Sequence, residues 1–591
     1  MAELHPQAVP IQTLYTWYRD DKLIVNRRYQ RKLVWTLEEK QKLIDSILCN
    51  YPIPAILLSE ISGPTEQYEI IDGLQRMHAI LSFIETSYSI NDGNYFDVNY
   101  FPTAKEYSEK GVFDNQSDGN LVTSTECSTI LNYQVSLSIL RKSNEDEVNE
   151  VFDRINTYGH RLSDQERRQA GVQNKFANLV RGLACTVRGD ASKDLLYLYD
   201  MPSISIDLPK TKHGYDVRAD EVFWVEQGVL RSTDLRDSED EQCIADIVAC
   251  LIGPELIDRS KSALDGIYNS NSEEYSRINT ALDSYGVEKI SEEFKYCLGE
   301  IQKICASGGG VKLKGLLFEK TTNNAFPSVF AALFISIHEC GIKNKKKISN
   351  YVEVQSALKG INSRVQAGQK GASSKERRVN VDVIKGVIEK HFVDDPSINE
   401  AVYSNHKVID IESDIRRSEI ELSSYELKQG FLSLSGNDTD MSPMLEKILR
   451  TICAIANNGP KSFGKIIVGV ADKDSDVQRV AKIDGTVGKK IGRRSVVGIN
   501  REAVRVKLSK EDYVGKVVNY IKNSKLSDHT KNSVLAHIDY NNYFDLGILV
   551  IPILNQNEVT YLGDDLYKRV GSSNNLVIKP KDIMEVGARF K

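Results

Sequence analysis

The sequence lacks the features that would mark a membrane, secreted or zinc-binding protein. No apolar stretch approaches the roughly 18–20 residues of a membrane span. The first residues, MAELHPQAVPIQ, lack the basic and apolar regions of a signal peptide, so we expect a cytoplasmic protein with no membrane partner. The nine cysteines are dispersed without a CxxC pair, which favours reduced thiols over a disulfide framework or a zinc site.

Two common catalytic patterns are missing as well. The nine histidines form no HxH or HExxH pair. The stretch GGGVKLKG at 308–315 does not have the GxxxxGK[ST] spacing of a P-loop. The formal net charge of −6 gives no general attraction to nucleic acid. Nucleic-acid binding would therefore have to rest on a local basic patch.

The length and the pattern of apolar residues predict an α+β multidomain protein. A chain of 591 residues is long enough for three or four units at about 100–200 residues each. Residues 1–142 mix β-like runs with amphipathic stretches, residues 143–405 are mainly helical, and residues 406–591 return to an α+β pattern. We predict one domain for each of these ranges.

Two polar stretches are predicted to be irregular, and a charged run follows them. Residues 91–126 are turn-rich and read as a long insertion. The basic, small-residue stretch 363–378 is interpreted as an exposed connection between helices, with a phosphate-contacting arm as the alternative. A charged run near 405–418 is expected to lead into the last domain.

The stretch YEIIDGLQRMHA at 68–79 predicts an anion site. A β-like run ends at Asp72, which could cap a following helix, and Gly73 would allow close approach to the backbone. The free N–H groups of a helix first turn bind anions, with Gln75 adding polar contacts. Arg76 could clamp a phosphate there, although the helix dipole itself disfavours a cation. The alternative is a capped helix with an ordinary surface arginine.

Further stretches carry a resemblance to a known family. YQRKLVW at 29–35 contains Gln30 and Arg31, and VFDRIN at 151–156 contains Arg154 and Asn156. With IDSILCNYPIP between YQRKLVW and YEIIDGLQR, these ordered motifs resemble the ParB-like family catalogued as domain of unknown function 262. The resemblance covers roughly residues 10–400 and is best in the first 170.

The family resemblance implies a fold and a ligand for the N-terminal part. The family is similar in fold to ParB and sulfiredoxin and includes nucleotide-hydrolysing subunits of restriction systems that attack modified phage DNA. Position 74 is commonly Gln in the family and is Leu74 here, which favours nucleotide binding over hydrolysis. The residues implied to line a nucleoside triphosphate site are Gln30, Arg31, Asp72, Gly73, Gln75, Arg76, Arg154 and Asn156.

Acidic residues in the C-terminal part could hold a metal ion. On a strand, Glu426 and Lys428 would project from the same face, with Glu421 shortly before them. The apolar run KIIVGVAD ends at Asp472. Carboxylates that converge at strand ends can bind Mg²⁺ or Mn²⁺ for phosphodiester cleavage, and a lysine can neutralise developing charge. The alternative is that these are solvated charges on exposed strand faces.

A second resemblance covers about residues 415–580. ELSSYELK, AIANN, KIIVGVAD and YKRVGSSN, in this order, resemble the Schlafen-type AlbA domain. In animal Schlafen proteins two glutamates and an aspartate form an RNA-cleaving site, and Glu421, Glu426 and Asp472 match those positions. Many bacterial relatives are known only as nucleotide- or DNA-binding modules.

Basic residues in the same region could contact nucleic acid. Arg569 would contact a phosphate, with Ser572 and Ser573 assisting. The stretch GKKIGRRS holds the densest basic cluster, including Arg493 and Arg494. This cluster is either a nucleic-acid path or a solvated loop.

The two resemblances together predict a bacterial anti-phage defence protein. A nucleoside triphosphate bound or hydrolysed at the ParB-like domain would control a metal-dependent nuclease in the Schlafen-like domain. One alternative is a nucleotide-regulated DNA- or RNA-binding regulator that does not cleave. Another alternative confines the enzyme to the N-terminal site, as an NTPase that drives assembly. The sequence leaves open whether the chain forms a homo-oligomer.

Overall fold

A computed structural model describes most of the chain. It describes residues 3–590 except for 28–31, 62–65, 117–118, 142–146, 149, 152–153, 155–162, 170–173, 191–194, 202, 206–215, 254, 321, 367–370, 404–405, 419–422, 436–438 and 461. The chain divides into two compact units, Met1–Phe294 with Cys305–Asp395, and Lys295–Ile304 with Pro396–Lys591. The predicted mixed α+β multidomain class is confirmed, whereas the ParB/sulfiredoxin-like and AlbA-like folds stay predictions.

The first unit contains a mixed sheet with the strand order β1-β5-β3-β4-β2-β6. The pairs β3–β5 and β2–β4 are parallel and the others are antiparallel. The strands are β1 Glu3–Pro10, β2 Leu23–Asn26, β3 Ile56–Ile61, β4 Gln67–Asp72, β5 Gln134–Arg141 and β6 Leu195–Tyr197. The helices of this part are α1 Ile11–Arg19, α2 Leu37–Leu48, α3 Leu74–Ile84, α4 Pro102–Glu109 and α5 Ser124–Asn132. The apolar faces of α1, α2 and α3 pack with the sheet in one core.

The remainder of the first unit is mainly helical. Its helices are α6 Asp164–Gln169, α7 Lys175–Arg188, α8 Phe223–Glu226, α9 Ser232–Arg236, α10 Glu239–Ile252, α11 Lys261–Tyr268, α12 Glu273–Tyr285, α13 Val287–Ala306, α14 Leu313–Leu317, α15 Pro327–His338, α16 Tyr351–Leu358 and α17 Ser374–Ile388. Short strand pairs join β7 Ser203–Ser205 to β8 Asp216–Arg218, and β9 Lys346–Ile348 to β10 Phe392–Asp394. The part of α13 from Lys295 to Ile304 belongs to the second unit.

The second unit is built around a sheet with the order β11-β12-β17-β16. Its helices are α18 Ile398–Tyr403, α19 Val408–Arg417, α20 Ser442–Ala456, α21 Asp474–Asp484, α22 Asn500–Arg505, α23 Lys510–Lys522, α24 Asp528–His537 and α25 Pro580–Ala588. Its strands are β11 Tyr425–Lys428, β12 Gly464–Val468, β13 Val470–Ala471, β14 Lys489–Ile491, β15 Arg494–Val496, β16 Asp539–Asn541, β17 Ile548–Ile553, β18 Tyr567–Val570 and β19 Ser573–Leu576. One face of the sheet packs with α20, α23 and α24 and the other with α19.

Two stretches predicted as irregular contain helices. Within 91–126, α4 begins with Pro102 at its first position, and Thr123 and Glu126 form a capping box at the start of α5. Within 363–378, Ser373 and Glu376 form the capping box of α17. The expectation of a long irregular insertion was wrong for 91–126 because these helix-start signals outweigh the polar composition, whereas the connection expected at 363–378 ends where α17 begins at Ser374.

The charged run that leads into the last domain forms α19, which packs inside the second unit. Its Asp414 is 2% exposed and accepts hydrogen bonds from Lys465 at 2.6 Å and Tyr425 at 3.2 Å. The charges are buried because they have partners far along the sequence, which composition does not reveal.

Among the described residues, no helix is both long and apolar enough to cross a membrane.

Candidate functional site

The candidate nucleotide site is built on the turn between β4 and α3. Gly73 is the residue before the helix and has φ +93°, a conformation that glycine adopts readily. A Cβ atom at this position would lie 2.8 Å from Ile56 Cγ1 and 3.2 Å from Arg76 Nη2. Both the backbone conformation and the close approach therefore require glycine at residue 73.

Asp72 does not cap α3, contrary to the sequence-based prediction. It ends β4, and α3 has no side-chain cap. The Asp72 carboxylate instead accepts a hydrogen bond from Arg76 Nη2 at 2.8 Å. The first turn of α3 thus keeps its backbone N–H groups uncapped by a side chain, as an anion site requires.

One nitrogen of the Arg76 guanidinium has no hydrogen-bond acceptor among the described residues. Its Nη2 donates to Asp72 and, at 3.2 Å, to the carbonyl oxygen of Ala55. Its Nε is buried and has no hydrogen-bond partner within the described part of the chain. A buried donor without a partner is uncommon in folded proteins. An anion at the first turn of α3 would add a favourable charge partner for this guanidinium.

The Gln75 side chain forms hydrogen bonds with the backbone of residues 32–35. The side chain is 6% exposed. Its Oε1 accepts hydrogen bonds from the backbone N–H of Val34 at 3.0 Å and Trp35 at 3.3 Å, and its Nε2 donates to Lys32 O at 2.6 Å. Gln75 therefore fixes the backbone at 32–35 and does not present its amide to a ligand.

The remaining residues predicted for this site divide into two groups. Gln30, Arg31 and Asn156 lie outside the described residues. Arg154 is 74% exposed and pairs with Glu150 at 2.5 Å, and it makes no hydrogen bond or ion pair with the described residues 72–76. Among the described members of this predicted set, the structure joins Asp72 and Arg76 directly and places Gly73 and Gln75 between them.

Two side chains next to Arg76 are not polar ligands. Leu74 is 3% exposed and belongs to the core of the sheet. Burial, with a smaller contribution from Lys40, lowers the pKa of the His78 imidazole to about 3. His78 is therefore neutral near pH 7.

The candidate nuclease site of the second unit centres on Glu426. Glu426 and Lys428 project from the same face of β11, as their spacing predicts, and their side chains form an ion pair. The face is the one that packs against α20, since Glu426 lies beside Ile466 in the parallel pairing with β12. The Glu426 side chain is 15% exposed, so its carboxylate sits at the edge of the core.

Arg569 holds Glu426 from the hairpin β18–β19. Its side chain is fully buried, and Nη2 donates to Glu426 Oε2 at 2.7 Å and to Tyr425 O at 2.9 Å. Its Nη1 donates to Asn574 Oδ1 at 2.7 Å. The predicted phosphate contact of Arg569 would require this ion pair to open. In the described arrangement Arg569 is a clamp on the carboxylate.

Asp472 forms an ion pair with an arginine. It follows β13 with a half-exposed side chain, and its carboxylate pairs with Arg494 of β15. Nearby, Lys490 pairs with Asp474 at 3.2 Å. Part of the basic cluster is thus matched by acidic residues of the same unit. Within the residues that the structure describes, no group of three His, Cys, Asp or Glu side chains could hold a metal.

Two of the three residues predicted to bind a metal ion, Glu426 and Asp472, are among the described residues. Glu421 lies outside the described residues. The oxygen donors of Glu426 and Asp472 suit Mg²⁺ or Mn²⁺ by their chemistry, but each is neutralised by a cation.

The predicted serine contacts sit at an open turn. Gly571, with φ +56°, and Ser572 connect β18 to β19, and Ser572 and Ser573 are exposed. Arg493 lies in the turn between β14 and β15. These positions are accessible to a nucleic acid, unlike the guanidinium of Arg569.

The residues that hold Arg569 and its hairpin in place were not predicted from the sequence. Asn574 accepts from Arg569 and donates to Thr451 Oγ1 at 2.7 Å. Asn457 is fully buried and its amide bonds the backbone of Thr560 and Tyr567. Both asparagines stand in the quoted motifs AIANN and YKRVGSSN, so their place in these motifs was the available signal.

Comparison with known families places each candidate site in a class of protein domain. Residues 11–172, which include the turn at Gly73, match the model of a restriction endonuclease domain, and residues 421–577 match a Schlafen domain model. The first is described as "GmrSD restriction endonuclease, N-terminal domain" and the second as "Schlafen, AlbA_2". No curated protein and no solved structure gave a match to the chain.

The comparisons bear on the two resemblances differently. The Schlafen-type resemblance is confirmed for residues 421–577. The N-terminal match is of the GmrSD type, so the restriction-related character is confirmed, whereas membership of the ParB-like domain of unknown function 262 stays a prediction.

Proposed function

We propose that this chain is a nucleotide-controlled nuclease of restriction-like anti-phage defence. A nucleoside triphosphate binds at the turn around Gly73 and Arg76, and a metal-dependent nuclease site lies around Glu426 and Asp472. The observation that carries the proposal is the Glu426 carboxylate, which is held by Lys428 and Arg569 within the Schlafen-like segment. The similarity of residues 11–172 to a restriction endonuclease domain supports the defence setting.

The nuclease chemistry depends on Glu421, Glu426 and Asp472. A Mg²⁺ or Mn²⁺ ion held by these carboxylates would supply an activated water and stabilise the leaving oxygen. Lys428 lies on the same strand face as Glu426 and can neutralise charge that develops on the scissile phosphate. The exposed Ser572 and Ser573 and the basic residues Arg493 and Arg494 contact the nucleic-acid backbone.

The nucleotide site is proposed to bind and to signal. The uncapped first turn of α3 and the unpartnered Nε of Arg76 receive phosphate oxygens, with Gln30, Arg31, Arg154 and Asn156 completing the site. Leu74 is buried and offers no polar group to orient a water. Binding is therefore favoured over hydrolysis at this turn.

One incubation tests both sites. The purified protein is mixed with Mg²⁺ or Mn²⁺, each of the four NTPs, and plasmid DNA or tRNA. We expect cleavage that depends on the divalent metal and on one NTP. Glu426→Gln should abolish cleavage and retain binding, whereas Glu446→Gln, an exposed glutamate that pairs with Arg450 on α20, should cut normally. Undiminished cutting by Glu426→Gln would reject the proposed site.

A second candidate is a nucleic-acid-binding regulator that does not cleave. The observation in its favour is that Glu426 and Asp472 are each neutralised by arginine, which suits an electrostatic scaffold as well as a metal site. This candidate predicts nucleic-acid binding by the parent protein without cleavage under any divalent metal.

A further inference from the structure

A buried network of ion pairs lies next to the candidate nucleotide site in the first unit. Its cations are Arg27, Lys32 and Arg188 and its anions are Asp190, Asp240 and Glu241. Arg188 is 1% exposed and Asp240 is fully buried. Among the described residues the network has as many cations as anions, and each buried ion has at least one partner of the opposite sign.

The network is continuous with the first turn of α3. Gln75, next to Arg76, donates to the carbonyl oxygen of Lys32 at 2.6 Å. The Lys32 ammonium lies 3.5 Å from both Asp240 Oδ1 and Glu241 Oε1 at the start of α10. Every step of this route is a hydrogen bond or an ion pair between described residues.

Arg188 extends the route to the end of α7. Its Nη1 pairs with Asp240 and donates to Glu241 at 3.2 Å, and its Nε donates to Asp190 at 3.3 Å. Asp190 in turn accepts two hydrogen bonds from Arg27, at 2.9 and 2.6 Å. Arg27 follows β2, so the network also returns to the sheet.

The cations of the network stabilise the ionised form of Asp240. Burial alone would raise the pKa of the Asp240 carboxyl, but Arg188 and Lys32 outweigh burial and lower it. Breaking a buried pair by removing one partner typically costs several kcal/mol, because the other charge stays buried and uncompensated. A displacement at Lys32 therefore has to move the start of α10 or the end of α7 with it.

We infer that Lys32, Asp240 and Arg188 are positioning residues that couple the occupancy of the nucleotide site to helices α7 and α10. The inference rests on the proposed nucleotide site at α3. A phosphate bound at the first turn of α3 orders Gln75, and Gln75 orders the backbone of Lys32. The ammonium of Lys32 then fixes the ends of two helices in the helical part of the unit.

Hydrogen–deuterium exchange tests the coupling directly. The full-length protein is measured with and without each NTP. We expect a bound NTP to slow exchange at 74–80 and also, at least several-fold, at 183–190 and 240–246. The segment 380–388 of α17 serves as the internal control. Protection of 74–80 without any change at α7 and α10 would overturn the inference. Absence of NTP binding would instead reject the proposed function, and the inference with it.

Substitutions at Lys32 give a second readout. Lys32→Met removes the ammonium and should weaken NTP binding about tenfold and remove the NTP-dependent protection of α7 and α10. Lys32→Arg keeps the charge and should restore both. The control is Lys175→Met, at the start of α7. It breaks an exposed ion pair with Asp283 of α12 and should bind NTP normally. Unchanged NTP affinity and protection in a folded Lys32→Met protein would contradict the inference.

Discussion

The ion pair between Asp472 and Arg494 leads to a prediction on metal binding at the scale of single residues. Arg494 neutralises the Asp472 carboxylate that the proposal assigns to the metal. Arg494→Ala should therefore raise the affinity for Mn²⁺ in the absence of nucleic acid. Because Asp472 is 50% exposed, the gain should be small, about two- to fivefold, in line with the roughly 0–1 kcal/mol of exposed pairs. Titration of Mn²⁺ followed by electron paramagnetic resonance measures it.

The Arg494 experiment has a matched control in the same hairpin. Lys490→Ala removes a cation that pairs with the exposed Asp474 and should leave Mn²⁺ affinity unchanged. Weaker Mn²⁺ binding by Arg494→Ala would show that Asp472 is not a metal ligand.

His78 gives a prediction on pH at the same scale. Burial lowers the pKa of His78 from 6.5 to about 3 in the folded protein. A lowered folded pKa means that the unfolded chain binds the proton more tightly, so stability is present above pH 6.5 and is lost as the pH falls below it. The free energy of unfolding of the first unit should drop by about 1 kcal/mol between pH 7.5 and 5.5 from this group.

Substitution isolates the contribution of His78. His78→Asn should remove that part of the pH dependence, whereas His5→Asn, at an exposed position on β1, should leave it in place. Denaturant unfolding at the two pH values measures both variants. Parallel pH profiles for His78→Asn and the parent would show that His78 is not the titrating group.

Among the elements, the turn at Gly73 is open to the sharpest test. Gly73→Ala would add a Cβ at φ +93° and 2.8 Å from Ile56 Cγ1. The strain of the backbone alone costs about 1–2 kcal/mol, and the contact adds to it. We expect a loss of stability larger than 1 kcal/mol together with weaker NTP binding. Denaturant unfolding and NTP titration measure the two effects.

Gly111 provides the control for Gly73. It also has a positive φ, +71°, but a Cβ there would meet nothing within 4 Å. Gly111→Ala should therefore show the backbone cost alone, with normal NTP binding. Equal losses for the two variants would mean that the approach of Ile56 to Gly73 is not tight.

Local sequence signals account for many elements of the fold and fail where distant partners decide. The strand before Gly73 and the helix after it were predicted, because an apolar run followed by glycine and an amphipathic run is a local pattern. The placement of Glu426 and Lys428 on one face followed from period two along a strand. The clamp of Arg569 on Glu426 was not predictable, since 143 residues separate the partners.

For the whole molecule, the domain order alone suggested a sensor coupled to an effector. Residues similar to a restriction endonuclease domain come first and residues similar to a Schlafen domain come last. The sequence predicted three domains, and most of the predicted helical domain shares one compact unit with the predicted N-terminal domain. That grouping follows from buried contacts such as Lys32 with Asp240, which join segments about 200 residues apart.

The coupling of the two sites is the prediction that belongs to the whole chain. Arg76→Ala removes the guanidinium with the unpartnered Nε, and Asp72→Asn weakens its ion pair. Both should lower NTP affinity, about 10–100-fold for Arg76→Ala, since a bidentate contact to a phosphate is among the stronger polar interactions. NTP-dependent cleavage and protection against phage should fall in parallel, while Mn²⁺ binding at the second unit stays unchanged.

The control for this experiment is Arg141→Ala, an arginine of β5 that pairs with Glu60 and lies outside the proposed site. It should retain NTP binding, cleavage and protection. Folding of each variant is checked by circular dichroism and denaturant unfolding. If folded Arg76→Ala and Asp72→Asn proteins cleaved and protected like the parent, the nucleotide site would not control the nuclease. A loss of NTP binding with cleavage that no longer needs NTP would instead show that the empty site normally silences the effector, which is the inhibitory form of the same coupling.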